Sequence, residues 1–406
     1  MQKPKIAIFL NTFTPPHIIT LVVLAGLQAL NMNIFLPSLP TMANYFDVSY
    51  ARIQLSISAY FAATALLPII IGPISDRFGR RPIMLIAIGI FTTATICCEF
   101  CDNFGWFLFF RIIQATVAAG VVLGRAIVRD LVRADEAASM IGYITMAMTI
   151  MPMLGPAIGG VIEEYFTWQY SFRFMSIVGL LTFILVWFDQ GETIKKKQRS
   201  IGAQFSSYIK LLNSKIFWLY SLTAGFSVSC YYNFLTGGPI IAENFFKMSP
   251  SAQGYLFGVV GFGYLFGNFL TGRYTVKAGM NTMMFAGCTI TIIAPVLQYL
   301  FLSISFSNPF SLFGPMLLVG LGNGMTLPNA SSGMVSVNPQ LAGSASGLGM
   351  AVMIGIGSVL SAITGSILGA GTSPYPLIFM ILLATLLSSI TSFSIVRESK
   401  NHPICN

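Results

Sequence analysis

Long apolar runs separated by short polar breaks fill the chain, and within each run the apolar residues are continuous. A helix needs roughly 20 such residues to cross the ~30 Å hydrocarbon layer of a bilayer. A transmembrane β-strand would alternate apolar and polar positions, so a membrane β-barrel is excluded. Runs of the required length begin near His17, Tyr50, Ile83, Phe104, Ser139 and Phe172, and again near Ile216, Ala252, Thr282, Pro309, Leu341 and Pro374. The pattern predicts an all-α membrane protein with twelve transmembrane helices in two sets of six. Between the sets lies "FDQGETIKKKQRSIGAQFSSYIKLLNSK", residues 188–215, the longest polar stretch, which reads as a solvated connector. The expected organisation is a six-helix bundle over 1–188, a cytoplasmic linker over 189–215 and a second six-helix bundle over 216–406.

Composition agrees with a lipid solvent. Hydrophobic residues make up 55% of the chain and charged ones 9%, with a mean hydropathy of +0.77. A water-surrounded core cannot hide that much apolar surface. The net charge of +9 would suit nucleic acid, but the basic residues sit in short loops between apolar runs, so no nucleic-acid partner is expected. With the amino terminus placed in the cytoplasm, eighteen Lys and Arg fall inside, only Arg52, Arg173 and Lys247 fall outside, and Arg111 lies within the membrane. This bias predicts a multi-pass membrane protein with both termini cytoplasmic. Lys3 and Lys5 precede a short apolar stretch without a small-residue cleavage site, so the first span is expected to serve as the insertion signal. "CCEFC" at 97–101 has no histidine nearby, and His17 and His402 stand at the chain ends; no metal and no cofactor are expected.

The loop after the second span reads "GPISDRFGRRP", 72–82. Gly72 and Gly79 permit tight turning, and Asp76 sits among Arg77, Arg80 and Arg81, an anion within a cationic turn at a helix end. This loop resembles the signature loop of the major facilitator superfamily. "RIIQATVAAGVVLGRAIVRDL" (111–131) resembles the fourth-helix motif of its drug/proton antiporters, especially the bicyclomycin-resistance-like branch. "LGPAIGG" (154–160), with Gly155, Pro156, Gly159 and Gly160, resembles the antiporter motif of the fifth helix, and "NIFLPSLP" (33–40) is similar to the end of the first helix in that branch. The resemblance implies two pseudo-symmetric bundles around a central cavity, rocking to open to either side in turn. It also implies export of drugs or other small organic molecules, in exchange for protons, by a monomer in a bacterial cytoplasmic (inner) membrane. In that scheme Gly72, Asp76, Arg77, Gly79, Arg80, Asp130, Gly155, Pro156, Gly159 and Gly160 are gating residues. Asp76 would meet the start of the eleventh helix, near Gly343 and Ser344, in the outward-open state, and Asp130 is placed to pair with Arg80. Small residues let membrane helices approach closely; Gly343, Gly347, Gly355 and Gly365 repeat that spacing on the eleventh span. Pro156 lacks a backbone donor, which favours a local bend or break.

Arg111 carries the argument about substrate. It lies on the order of 9 Å into the membrane at about 1.5 Å per residue, where a charge is costly unless it faces a wet cavity. Arg111, Gln114 and Ala118 share one helical stripe, and Asn33 on the first span is at similar depth. The branch usually carries an acid where Asn33 stands. None of the thirteen acids falls at mid-membrane; Glu99, about one turn in, is the nearest substitute as a proton carrier. Two transport readings stay open: drug export with another proton carrier, or transport of an anionic metabolite or siderophore on the planar fork of Arg111. Bracing of helices by Arg111 is compatible with either. Tyr231, Tyr232 and Asn233 on span seven complete the candidate substrate site, although tyrosines also anchor helices at the membrane surface. Tyr255, Tyr264, Asn323 and Asn329 are further candidate cavity walls. A membrane enzyme would need mid-membrane acids, histidine pairs or a nucleophile with its base, and none appears. A non-transporting sensor would need an output domain, for which the longest polar stretch is too short.

Overall fold

The computed structural model describes residues 7–131, 134–193, 209–304, 308–338, 341–368 and 373–401. Each apolar run becomes a helix. In the first half these are α1 (Ile18–Asn33), α2 (Leu55–Phe78), α3 (Arg80–Glu99), α4 (beginning as Phe104–Ile113 and ending as Ala119–Leu131), α5 (Ala134–Tyr165) and α6 (Trp168–Asp189). The second half has α7 (Lys215–Asn244), α8 (Pro250–Ala278), α9 (Met280–Ser303), α10 (Met316–Ser336), α11 (Ala342–Leu368) and α12 (Tyr375–Asn401). Among the described residues, ten stretches are long and apolar enough to cross a membrane. Helices α5 and α7, of 32 and 30 residues, occupy the other two places. Large apolar side chains such as Leu66, Phe109, Leu181, Phe269 and Phe379 are exposed, as a lipid solvent requires.

The two halves repeat one plan. Helix α1 packs on α5, α3 on α6 and α2 on α4; six spans later α7 packs on α11, α9 on α12 and α8 on α10. The halves meet through α2 with α11 and through α5 with α8, two pairs related by the same exchange. Helix ends carry the repeat as well. Gly79 closes α2 at φ +106° and Gly279 closes α8 at φ +85°. Each donates its N–H to the carbonyl four residues back, Ser75 and Thr275, at 2.9 Å. A side chain is strained at such φ, so glycine is the residue that ends both helices.

Two helices of the first half are interrupted. Past Asn33 the chain leaves α-helix, passes through a 3-10 turn at Leu36–Ser38 and resumes as Leu39–Tyr45. Pro37 and Pro40 supply no N–H to a continuing ladder there. Helix α4 tightens to 3-10 over Gln114–Ala118 without any proline. Helix α5, in contrast, stays helical across Pro152 and Pro156, so the break that Pro156 favours does not occur.

The end of the molecule where α1 begins and α6 finishes is called the terminal face here, and the opposite end the far face. At the terminal face Asp189 is fully buried. It accepts the Leu10 and His17 N–H groups at 2.8 Å and the Thr20 hydroxyl at 2.6 Å. Glu192 accepts the Arg80 and Arg81 N–H groups at 3.0 and 3.2 Å, capping the start of α3. The first residues of the polar connector are thus fastened to the first half; 194–208 lie outside the described residues.

Candidate substrate site and gates

Arg111 ends the first part of α4 and is 1% exposed. Its guanidinium carbon stands 4.1 Å from the Phe35 ring centroid and 4.5 Å from that of Tyr60. Its Nη1 donates to Gln114 Oε1 at 2.5 Å and to Asn31 Oδ1 at 3.4 Å. Gln114 in turn donates from Nε2 to Thr95 Oγ1 at 2.8 Å, tying α4 to α3. The two breaks explain the arrangement: the end of α1 as an α-helix places Phe35 beside α4, and the 3-10 turn brings Gln114 under Arg111. Every one of these neighbours is uncharged. Desolvated cation–π contacts give up to about 2 kcal/mol each, against a penalty of several kcal/mol for a buried charge. The arginine therefore keeps an unsatisfied demand for negative charge, and its Nε and Nη2 have no hydrogen-bond partner among the described residues.

Asn33 donates from Nδ2 to the Ala29 carbonyl at 2.7 Å, and its Oδ1 accepts the Tyr231 hydroxyl at 3.0 Å across the boundary between halves. Tyr232 is 7% exposed. It stacks on Phe61 with ring centroids 4.0 Å apart, and Phe61 touches Tyr60 at 6.2 Å. Neither tyrosine is a membrane-surface anchor; both reach the opposite half. Asn33, Arg111, Gln114, Tyr231 and Tyr232 are thus linked through Asn31, Phe35, Tyr60 and Phe61. Asn233 departs from the group: it is fully buried and donates to the Met380 carbonyl on α12 at 3.3 Å. Its neighbours lie inside the second bundle, because residues one apart on a helix face different ways. Tyr255 is 64% exposed and faces outward. Asn323 accepts from Ser227 at 2.6 Å and Asn329 bonds the Met325 carbonyl at 2.7 Å, so both brace the second half internally. Glu99 forms an ion pair with Arg173 at 2.6 Å at the far end of α3, away from Arg111.

Among the gating candidates, Asp76 pairs with Arg80 at 2.6 Å, and Arg80 also reaches Ser75 Oγ at 2.5 Å. The Asp130 side chain lies outside the described residues, and so do the surroundings of Gly343 and the expected Arg80–Asp130 pairing. Gly72 has open space where a side chain would stand. Arg77 lies over the Phe78 ring at 5.4 Å. On α5, a Cβ at Gly155 would stand 3.0 Å from the Asn33 Cβ, and one at Gly159 would overlap the Ile34 carbonyl. A Cβ at Gly160 would overlap the Pro250 carbonyl, and Pro156 O lies against Gly254, both on α8. The glycines of α11 differ from this pattern: Gly347 and Gly355 have nothing within 4 Å, and among the described ones only Gly365 is close to the other half, at Gln54. Equal spacing on α5 and α11 hides unequal surroundings.

Several hydrogen bonds join the halves toward the far face. Tyr50 and Gln54 both donate to the Thr236 carbonyl, the first at 3.2 Å. Ser358 donates to the Ser58 carbonyl at 2.6 Å, and the Ser251 N–H to Glu164 at 3.2 Å. Sequence reasoning missed this stripe of Tyr50, Gln54 and Ser58, although its four-residue spacing along the second span, Tyr50–Phe78, is visible. It also missed Phe35 and Tyr60, because aromatics within apolar runs give no signal of their own.

Known proteins supply the last observations. The model of the Major Facilitator Superfamily matches residues 21–362. A bicyclomycin resistance protein homolog of Haemophilus influenzae is 28% identical over 86% of this chain and 88% of its own length. A chloramphenicol resistance protein of Pseudomonas aeruginosa is 26% identical over 92% and 89%. A crystal structure of a bacterial homolog of the human lysosomal transporter Spinster, inward-facing and unoccupied, superposes with a TM-score of 0.73 at 17% identity, covering 94% of this chain and 97% of that one. The twelve-helix repeat, the loop at 72–82 and the match over most of the length converge: the chain is a multi-pass membrane transporter, not an enzyme, and belongs to the major facilitator superfamily.

Proposed function

We propose that this protein exports drugs or other small organic molecules from the bacterial cytoplasm across the inner membrane by alternating access, in exchange for protons. In this reading the terminal face, which carries most of the Lys and Arg, is cytoplasmic. The observation that carries the mechanism is the one-sided set of bonds between the halves: closed at the far face, they leave rocking about the middle as the motion that would expose Arg111 to each side in turn. Likeness to two resistance proteins over most of the chain supports drug-type cargo. Asn33 carries no proton, and Glu99 pairs with Arg173, so a proton taken up at Glu99, the nearest candidate carrier, would have to displace that ion pair. Purified protein in proteoliposomes, given an imposed proton gradient, should move chloramphenicol or a cationic dye against its concentration gradient, and an ionophore should stop this. Movement indifferent to the gradient would refute proton exchange; no movement of either compound would refute drug export. A second reading, transport of an anionic metabolite or siderophore, is favoured by one observation: among the described residues, no carboxylate reaches Arg111.

A further inference from the structure

We infer that the substrate of this transporter carries a carboxylate, and that it docks in the plane of the Arg111 guanidinium on the edge formed by Nε and Nη2. The inference rests on the second transport reading above, an anionic cargo bound at Arg111, and names the anion's class. Arg111 spends one nitrogen, Nη1, on its two neutral acceptors, Gln114 and Asn31. The remaining donors, Nε and Nη2, are buried and have no partner among the described residues. These two nitrogens point their N–H groups along one edge of the guanidinium, in parallel, at the spacing of two carboxylate oxygens. The rings of Phe35 and Tyr60 lie against the guanidinium, so the edge is the surface left for a ligand.

Charge leads to the same ligand. Helix α1, from Ile18 to Asn33, contains no acid. On α3, Glu99 is engaged by Arg173; on α2, Asp76 is engaged by Arg80 at the terminal face. Far-face Glu164 accepts from Ser251. A permanently charged group in a buried site is destabilising until an anion neutralises it, and a fork of two donors selects a planar oxyanion over a halide or a neutral amide. Asn31 and Gln114 offer oxygen atoms to Nη1 and so orient the fork without discharging it. A carboxylate would arrive at a prepared edge and remove the uncompensated charge at once.

The test uses the full-length purified protein and matched pairs of probes that differ only in charge: benzoate and benzamide, succinate and succinamide, 1-naphthaleneacetate and 1-naphthaleneacetamide. Equilibrium binding should favour the acid of at least one pair by about tenfold or more, the gain expected of a bidentate charge-assisted contact over a neutral one. Arg111→Lys keeps the charge but loses the edge; it should lower affinity for that acid about tenfold and leave the amide unchanged. Arg111→Gln should erase the preference. Amides binding as well as acids in every pair, or no probe binding at all, would overturn the inference. So would an acid preference that survives Arg111→Gln. Chloramphenicol transport by the same preparation separates the two failures: transport without acid preference refutes the carboxylate alone. Acid preference without transport of any gradient-driven cargo refutes the transport reading.

Discussion

A methyl group added at Gly159 would overlap the carbonyl oxygen of Ile34, whereas one added at Gly347 or Gly355 would meet nothing within 4 Å. Both sites read alike in sequence, as small residues in apolar helices, and only the first is held by a close backbone approach. Gly159→Ala should therefore destabilise the protein by roughly 1–3 kcal/mol, the range for overpacking. Gly347→Ala and Gly355→Ala should stay within about 0.5 kcal/mol of the parent. Thermal unfolding of the three variants in one detergent checks this, and equal shifts would show that the α5 contact has no special weight. The same contrast marks what single residues reveal. Arg111 stood out because a charge inside an apolar run has few explanations. Phe35 and Tyr60, which flank it, did not, because an aromatic side chain costs nothing in lipid and its partner is set by packing between helices. Asn233 misled for a related reason. A polar residue in a span needs a hydrogen bond, and the Met380 carbonyl within its own bundle supplies one.

At the level of elements, span positions were legible because hydropathy integrates over a whole helix. The interruptions of α1 and α4 were harder to see. Pro37 and Pro40 account for the first, but Gln114–Ala118 contains no helix breaker, and its tightened turn accompanies a tertiary hydrogen bond from Gln114 to Thr95 on α3. The ends of elements also depend on distant residues. Helix α3 starts at Arg80 without a local side-chain cap, and Glu192, more than a hundred residues on, accepts its first two N–H groups. A carboxylate at a helix amino terminus is favoured both by those bonds and by the helix dipole. Glu192→Ala should cost about 1–2 kcal/mol of stability, with Glu192→Gln intermediate because the amide oxygen still accepts but carries no charge. Chemical denaturation of the two variants measures the difference. If Glu192→Ala unfolds at the parent concentration of denaturant, the cap is dispensable and the connector begins at Asp189 in function as well as in composition.

For the whole molecule, the repeat of helix pairs and of the glycine ends makes the halves near-equivalent, so each is expected to move as a unit. Toward the middle of the far half, the bonds between them are buried and join uncharged groups. Tyr50 and Gln54 share the Thr236 carbonyl, Ser358 meets the Ser58 carbonyl, and Tyr231 meets Asn33. Such bonds are worth about 1 kcal/mol each net of competition from water, strong enough together to bias one state and weak enough to break in each cycle. Removing one should shift the balance toward an open far face by a factor of about five. Ser58 offers a reporter, since it is buried beside this contact and its bond to Ser358 uses the backbone carbonyl, which a cysteine there retains. In a cysteine-free background carrying Ser58→Cys, a membrane-impermeant maleimide applied from the far side should react slowly, and adding Gln54→Ala should speed the reaction about fivefold. Cargo that binds at Arg111 should alter both rates, because any ligand that prefers one state redistributes the two. Identical rates with and without Gln54→Ala would mean that the far face is held by the helix packing of α5 on α8 alone. The stripe of Tyr50, Gln54 and Ser58 would then be a passenger of closure rather than its lock.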